Sequence, residues 1–122
     1  AYGDKNIIYK FSGTSVLAEN WDNNNVGKYL KIIRDKVEKL CNKKFNFVLI
    51  NRYKDGNDCI GSHCDDEKEL GKNPDIVGIS FGAERNIVFE AKKQPELMSK
   101  KISMKLKHNS IYVMKHPTNL YW

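Results

Sequence analysis

Short apolar segments bounded by turn residues dominate the chain after residue 44 and restrict the folds it can form. There are six of them, FNFVLINRY, DCIGSHC, DIVGISFG, RNIVFEA, KISMKLK and SIYVMK, at 45–53, 58–64, 75–82, 85–91, 101–107 and 110–115. Segments of this length that are rich in β-branched and aromatic residues are typical of β-strands. With a further strand predicted in NIIYKF at 6–11, they predict an antiparallel sandwich or barrel.

One segment near the amino terminus has helical periodicity instead. From Asn25 onward, apolar residues recur at steps of three and four and include a stripe of Tyr29, Ile33, Val37 and Leu40. Asparagines precede this segment, and asparagine is favoured at helix N-caps. The pattern predicts an amphipathic helix over 25–39 whose stripe packs on the outside of a sheet. The predicted fold is therefore mainly β, of the α+β class, with one buttressing N-terminal helix.

Length, cysteine content and charge narrow the class of protein further. A chain of 122 residues is long enough for one domain with a single core and too short for two. Its apolar runs are far shorter than the roughly 18 residues of a membrane span, so no contact with a membrane is expected. Three cysteines are an odd and sparse set, which favours free thiols in an intracellular, reducing compartment. The net charge of +6 suits a polyanionic partner.

The stretch GSHCDDEKEL at 61–70 combines one histidine, one cysteine and four carboxylates. On a strand, residues two apart point to the same side, so His63 and Asp65 could aim a nitrogen and an oxygen at one point. With a later histidine, such a pair would form the facial triad of non-haem Fe(II) oxygenases. Taken alone, the stretch is more typical of a solvated acidic turn. It is not typical of a closed zinc site, because it lacks the paired spacing of cysteine and histidine ligands that such sites usually have. His108 and His116 are expected to be turn residues.

Five segments in a fixed order carry a resemblance. They are YGD…YKFSG at 2–13, FNFVLINRYKDGND at 45–58, IGSHCDDEKEL at 60–70, ISFGAERNIVF at 79–89 and HPTNLYW at 116–122. Together they resemble the AlkB family of Fe(II)- and 2-oxoglutarate-dependent dioxygenases, in particular its eukaryotic branch that repairs alkylated bases in DNA. The resemblance implies a double-stranded β-helix, or jelly roll, of two antiparallel sheets with the metal held between them.

The resemblance also implies which residues bind Fe(II) and the co-substrate 2-oxoglutarate. His63 and Asp65 match the first two iron ligands and are the predicted catalytic residues. Asn51 and Tyr53 match residues that hydrogen-bond 2-oxoglutarate, and both would lie on one face of a strand. The family's third ligand is a histidine that would follow shortly after Trp122. We therefore expect a single dioxygenase domain over 1–122 that is incomplete at its carboxy terminus.

For the substrate, the resemblance implies a pocket that holds a base flipped out of the helix. Tyr9 and Phe11 match the pocket aromatics and Ser12 its rim, while Asp66 and Glu67 would accept hydrogen bonds from the base's exocyclic amine. Because 1-methyladenine and 3-methylcytosine are cationic and carry that amine, nearby carboxylates suit them. Four lysines could contact phosphates, namely Lys92, Lys93, Lys100 and Lys101.

The activity that the resemblance implies is oxidative demethylation of such bases in DNA, which releases formaldehyde and repairs the base by direct reversal. The enzyme is expected to act as a monomer in the nucleus, and the present chain by itself is expected to be inactive. Two alternatives stay open. One is a non-catalytic remnant that binds nucleic acid, and the other is the same chemistry on RNA or on a protein side chain.

Overall fold

The computed structural model describes residues 1–11, 13–92 and 100–122, apart from the side chain of Phe11. The predicted rim residue Ser12 and the predicted phosphate contact Lys93 lie outside the described residues. The chain divides into two compact units, Ala1–Cys59 and Ile60–Trp122. More described residues lie in strands than in helices, which confirms the mainly β prediction. No described helix is long and apolar enough to cross a lipid bilayer.

The first unit has five strands and one long helix in its described residues. The strands are β1 (Tyr2–Gly3), β2 (Ile8–Phe11), β3 (Thr14–Leu17), β4 (Glu19–Asn20) and β5 (Phe47–Val48), and the helix α1 is Asn25–Cys41. β1 lies between a parallel β4 and an antiparallel β5. β2 and β3 form an antiparallel hairpin, and Gly13 follows β2 at φ 79°, a conformation that favours glycine.

Asparagines mark both ends of α1. The side chain of Asn24 accepts a hydrogen bond from the backbone N–H of Gly27 at 2.9 Å, which satisfies one of the free donors of the first turn. Asn42 ends the helix at φ 52° and ψ 42°, a left-handed conformation that asparagine tolerates. The helix predicted over 25–39 is confirmed and extends to Cys41.

The packed face of α1 differs from the predicted stripe. Trp21 is 3% exposed, and the guanidinium carbon of Arg34 lies 5.1 Å from the centre of its ring. Gly27 also lies against Trp21, whereas Tyr29 and Leu40 of the stripe are each 69% exposed. The stripe prediction is therefore wrong for Tyr29 and Leu40. The contact face of the helix lies on the side of Gly27, which meets the backbone of Trp21, and of Arg34, which meets its indole.

The core of the first unit is small, and its buried aromatic residues are Tyr9 and Trp21. Its buried apolar residues are Tyr9, Ala18, Trp21 and Val37. The ring centres of Tyr9 and Phe47 are 5.0 Å apart with the planes tilted by 32°. The indole N–H of Trp21 donates to Asp4 Oδ1 at 2.8 Å, so the polar atom of this side chain is satisfied while the ring is buried.

Gly27→Ala is expected to lower the free energy of unfolding by about 1–3 kcal/mol, despite the higher helix propensity of alanine. A Cβ at this position would lie 2.3 Å from the carbonyl oxygen of Trp21. Backbone atoms cannot rotate aside as a side chain can, so the start of α1 or Trp21 must shift. Urea denaturation measures the effect. Lys28→Ala, at the next and exposed position, is the control, and equal urea midpoints for the two variants would contradict the prediction.

The far end of α1 contains a pH-sensitive contact. Glu38 accepts hydrogen bonds from Lys44 Nζ at 2.7 Å and from the backbone N–H of Phe45 at 2.8 Å. The bond from Lys44 first, and then that from Phe45, lowers the pKa of the Glu38 carboxyl below its ordinary value of 4.5. Because the pKa is lower in the folded state, this group stabilises the fold above its ordinary pKa. The contribution is lost as the pH falls through the folded-state value.

Glu38→Gln is therefore expected to flatten the acid side of the stability profile. Urea midpoints measured near neutral pH and at about pH 3 should differ less in the variant than in the unchanged protein, because the variant has no Glu38 carboxyl to protonate. Glu69→Gln is the matched control, since Glu69 is an exposed carboxylate. If the urea midpoints of Glu38→Gln and Glu69→Gln change equally between the two pH values, the contact of Glu38 with Lys44 does not contribute to the pH dependence of stability.

The second unit has four strands in its described residues. They are β6 (Ile76–Ser80), β7 (Arg85–Glu90), β8 (Lys101–Leu106) and β9 (Ser110–Met114), with a 3₁₀ turn at Lys68–Leu70 and a short helix α2 at Thr118–Tyr121. β6 pairs with β9 and β7 with β8, and both pairs are antiparallel. The ring of Tyr112 covers Gly78 on the opposite strand, at 2.0 Å from where a Cβ would lie. These four strands confirm the predictions made for them.

Two other predicted strands are wrong in part or entirely. The segment predicted at 45–53 is a strand only at Phe47–Val48, and the segment predicted at 58–64 contains no strand. The partner of β5 is the two-residue strand β1, so no longer ladder can form there. Residues 54–58 form polar turn contacts instead, including a hydrogen bond at 2.6 Å from the N–H of Lys54 to Asp58 Oδ2. An apolar segment becomes a strand only where a partner strand accepts its hydrogen bonds.

Candidate functional site

His63 and Asp65 lie in a loop of the second unit, since residues 60–67 form neither helix nor strand. The structure nevertheless places His63 Nε2 3.4 Å from Asp65 Oδ1. The two side chains are 36% and 29% exposed, so a ligand can reach both from solvent. The strand argument for their proximity was wrong, because the loop itself turns the two side chains towards each other.

The orientation of the His63 ring follows from a local hydrogen bond. His63 Nδ1 lies 2.8 Å from the backbone carbonyl oxygen of Gly61. A carbonyl oxygen can only accept, so Nδ1 carries a proton. Nε2 is then the ring nitrogen that can bind a metal, and it lies on the side of Asp65. A histidine whose second nitrogen donates to a backbone carbonyl is the usual arrangement of a metal ligand.

Nε2 of His63 and the carboxylate of Asp65 are suitable ligands for Fe(II), and they form part of the ligand set that it needs. One imidazole nitrogen and one carboxylate oxygen are two of the three protein ligands of a facial triad. Among the residues that the structure describes, no third histidine, cysteine or acidic side chain joins them in a group that could hold a metal. His108 accepts from the N–H of Gly82 at 2.8 Å in a turn, and His116 also lies in a turn, as predicted for both.

The acidic residues after Asp65 differ in their surroundings. Asp66 is exposed, whereas Glu67 is half-buried and its Oε2 atom is buried without a hydrogen-bond partner among the described residues. The carbonyl of Glu67 accepts from the N–H of Leu70 at 3.0 Å, which closes the 3₁₀ turn at Lys68–Leu70. A buried oxygen without a partner can accept a hydrogen bond from a ligand. The assignment of Asp66 and Glu67 to substrate binding stays a prediction.

The predicted 2-oxoglutarate residues lie in the first unit. Asn51 is exposed and Tyr53 is 37% exposed. The strand β5 ends at Val48, so the argument that Asn51 and Tyr53 share a strand face does not apply. Their role as binding residues stays a prediction that rests on the INRY motif.

The predicted pocket aromatics also lie in the first unit, on strand β2. Tyr9 is 7% exposed, and its ring packs against Phe47. The backbone of Phe11 lies opposite Thr14 in the hairpin. The predicted roles of Tyr9 and Phe11 in base stacking stay untested.

Two lysines of the predicted phosphate-binding group, Lys92 and Lys101, have partners within the chain. Lys92 Nζ donates to the backbone carbonyl oxygen of Asn119, and Lys101 pairs with Glu90 at 2.7 Å. Lys100 is exposed. The prediction of a phosphate contact therefore fits Lys100 better than Lys92, whose ammonium is engaged in the fold.

One further residue near the site was missed from sequence. Asn119 Nδ2 donates to the backbone carbonyl oxygen of Asp65 at 3.0 Å. Asn119 belongs to the HPTN motif that contributed to the resemblance, so the motif was a signal of its importance. Its contact with a residue 54 positions away could not be predicted from spacing.

The chain belongs to the 2OG-Fe(II) oxygenase superfamily, whose sequence model matches residues 6–122. This confirms the expectation of Fe(II) as cofactor and 2-oxoglutarate as co-substrate of the family. Known relatives narrow the group further. The chain is 43% identical over 125 residues to the human protein named DNA oxidative demethylase ALKBH2, a match that covers 99% of the chain and 46% of the relative.

Other relatives give the same result. The Bos taurus protein of the same name is 42% identical, with 99% of the chain and 43% of the relative covered. A human protein named alpha-ketoglutarate-dependent dioxygenase alkB homolog 3 is 30% identical over 76% of the chain and 34% of the relative. The resemblance to the AlkB family is therefore confirmed. The chain spans about half the length of its ALKBH2 relatives, or somewhat less.

Proposed function

We propose that the protein containing this chain is an Fe(II)- and 2-oxoglutarate-dependent dioxygenase that demethylates N-alkylated bases in DNA. The proposed substrates are 1-methyladenine and 3-methylcytosine, and the proposed reaction is repair by direct reversal. The observation that carries the proposal is the convergence of His63 Nε2 and Asp65 Oδ1 at 3.4 Å, within a chain matched to DNA oxidative demethylases.

In this proposal His63 and Asp65 hold the iron, and Asn51 and Tyr53 hydrogen-bond 2-oxoglutarate. When bound, Fe(II) and 2-oxoglutarate supply the oxidation of the N-methyl group by dioxygen, after which the carbon leaves as formaldehyde. The protein's part is to orient these groups. The hydrogen bond from His63 Nδ1 to the carbonyl oxygen of Gly61 orients the ring so that Nε2 is the nitrogen that would bind the metal.

Charge supports the choice of a cationic base as substrate. Asp66 and Glu67 follow the proposed ligands directly, and the Oε2 atom of Glu67 is buried without a partner among the described residues. A base with a methylated ring nitrogen carries positive charge and an exocyclic amine, which can donate to such an oxygen. Tyr9, Phe11 and Ser12 are proposed to hold the flipped base.

The jelly roll is likewise a proposal for the fold. It is supported by the order of pairing in the second unit, where β6 pairs with β9 and β7 with β8. The two inner strands in sequence pair with each other, and the two outer strands do the same. Nested antiparallel pairing of this kind is expected of a double-stranded β-helix.

The proposed partner is alkylated DNA, which the net charge of +6 supports because basic surfaces attract phosphates. We also propose that the protein acts in the nucleus, where it would meet DNA, and that it acts as a monomer. RNA is the alternative substrate, since the same chemistry works on the same bases.

The test is a demethylation assay with the full-length protein. A single-stranded DNA oligonucleotide with one 1-methyladenine is incubated with Fe(II), 2-oxoglutarate and O2, and formaldehyde is measured. We expect release that depends on 2-oxoglutarate, with none from the unmethylated oligonucleotide. Salt-dependent DNA binding without formaldehyde release would overturn the proposal in favour of a non-catalytic binding protein. Faster turnover of the matching RNA oligonucleotide would shift the substrate to RNA.

A further inference from the structure

A distant side chain holds the backbone that carries His63 and Asp65. Asn119 Nδ2 donates to the carbonyl oxygen of Asp65 at 3.0 Å, and this bond is partly buried. Residues 60–67 form neither helix nor strand, so they have no regular ladder of backbone hydrogen bonds. A loop of this kind keeps one conformation only if other parts of the fold fix it.

Asn119 is itself fixed to the framework of the second unit. It lies in α2, and its carbonyl oxygen accepts from Lys92 Nζ. The backbone N–H of Lys92 also donates to the carbonyl of Tyr121 at 2.8 Å. Ahead of α2, the N–H of His116 donates to Asp75 Oδ1 at 3.2 Å. Lys92 follows β7 and Asp75 precedes β6, so α2 and the turn before it are attached next to the ends of two strands from different antiparallel pairs.

The pair of proposed ligands needs such support. In the form of His63 that binds a metal, the Nε2 lone pair and the Asp65 carboxylate both bring negative charge density to the same small region. Two acceptors 3.4 Å apart do not attract each other until a cation lies between them. If the fold holds the two side chains together before the metal binds, less conformational entropy is lost on binding, and the affinity for the metal is higher.

We propose that Asn119 is a positioning residue for the metal site, which it supports by fixing the Asp65 peptide. The orientation of that peptide sets the direction in which the Asp65 carboxylate leaves the backbone, and so its distance from His63. As far as the metal is concerned, this inference rests on the proposed function. The hydrogen bond itself is independent of that function.

Metal affinity distinguishes positioning from a merely structural role. Two variants remove the donor: Asn119→Asp keeps the shape of the side chain, and Asn119→Ala removes it. Leu120→Ala is the matched control, because Leu120 lies next in α2 and is 54% exposed. Mn(II), a divalent cation that suits the same oxygen and nitrogen ligands, is titrated into the full-length protein by calorimetry.

We expect the Mn(II) dissociation constant to rise by about 10- to 100-fold in Asn119→Asp and Asn119→Ala, as for other residues that orient metal ligands. Leu120→Ala should stay within about twofold of the unchanged protein. Asn119→Gln keeps an amide donor on a longer side chain and should recover part of the affinity. A purely structural role would lower thermal stability in the variants but leave the Mn(II) affinity of the folded protein unchanged.

Hydrogen exchange on the metal-free protein tests the same contact without any metal. Amides of residues 61–66 should exchange faster in Asn119→Asp and Asn119→Ala, while those of β6 and β9 should be unchanged. The inference is overturned if both variants bind Mn(II) within about twofold of the unchanged protein, or if residues 61–66 exchange as before. Mn(II) binding without demethylation by the unchanged protein would overturn the proposed function alone.

Discussion

Asp65→Ala in the full-length protein is expected to reduce formaldehyde release from methylated DNA by at least about 1,000-fold, because it removes a proposed ligand of the catalytic metal. The carboxylate also supplies the negative charge that offsets part of the charge on Fe(II). Its partner His63 would remain, but a single imidazole does not hold a metal in a defined geometry. The same variant should therefore lose Mn(II) binding in calorimetry, which reports on the site without any turnover.

Glu69→Gln is the matched control for Asp65→Ala. Glu69 lies in the same ten-residue stretch and is exposed, and the substitution removes the same negative charge without removing a proposed ligand. It should retain formaldehyde release within about twofold, since a surface charge contributes little. Asp65→Asn is tested as well, because it keeps the size of the side chain and should fold even if Asp65→Ala does not. If Asp65→Ala and Asp65→Asn both keep more than a tenth of the activity, Asp65 is not a ligand.

Trp21→Ala is expected to lower the free energy of unfolding by about 3–5 kcal/mol, the range for removing a buried large aromatic side chain. Trp21 is 3% exposed, and the guanidinium of Arg34 of α1 lies 5.1 Å from the centre of its ring. The loss also removes the donor to Asp4 Oδ1. Because a typical domain is stable by only about 5–15 kcal/mol, much of this stability would be lost.

Urea denaturation followed by circular dichroism measures the effect of Trp21→Ala. Tyr29→Ala is the control, since it removes an aromatic side chain from the exposed face of α1 and should change stability by less than about 0.5 kcal/mol. Trp21→Phe keeps a ring but has no N–H for Asp4, so it should fall between the two. Equal midpoints for Trp21→Ala and Tyr29→Ala would show that the contact of the indole with α1 does not hold the unit together.

The secondary structure was predictable where the signal is local. The helix α1 and the strands β6 to β9 were predicted from periodicity and turn residues, because both are properties of neighbouring residues along the chain. The predictions at 45–53 and 58–64 failed because a strand needs a partner of matching length. β1 pairs only two residues with β5, and residues 58–64 pair with no strand among the described residues.

The candidate site was predictable through motifs more than through geometry. The pair His63 and Asp65 was singled out from the stretch GSHCDDEKEL, although the predicted strand beneath it is absent. The orientation of the His63 ring depends on the carbonyl of Gly61, and the path of the loop depends on Asn119. Neither contact leaves a periodic signal in the sequence.

The sequence by itself determined the helix, the turn-bounded strands of the second unit and the family, since ordered motifs identify a family even where single residues are ambiguous. The tertiary structure decided which face of α1 packs and whether the two proposed ligand atoms, His63 Nε2 and Asp65 Oδ1, meet. The face of α1 that packs against Trp21 includes Arg34, whereas Tyr29 and Leu40 of the predicted stripe are exposed. Asn119 reaches Asp65 across 54 positions, and a contact of that separation depends on the path of the whole chain between them.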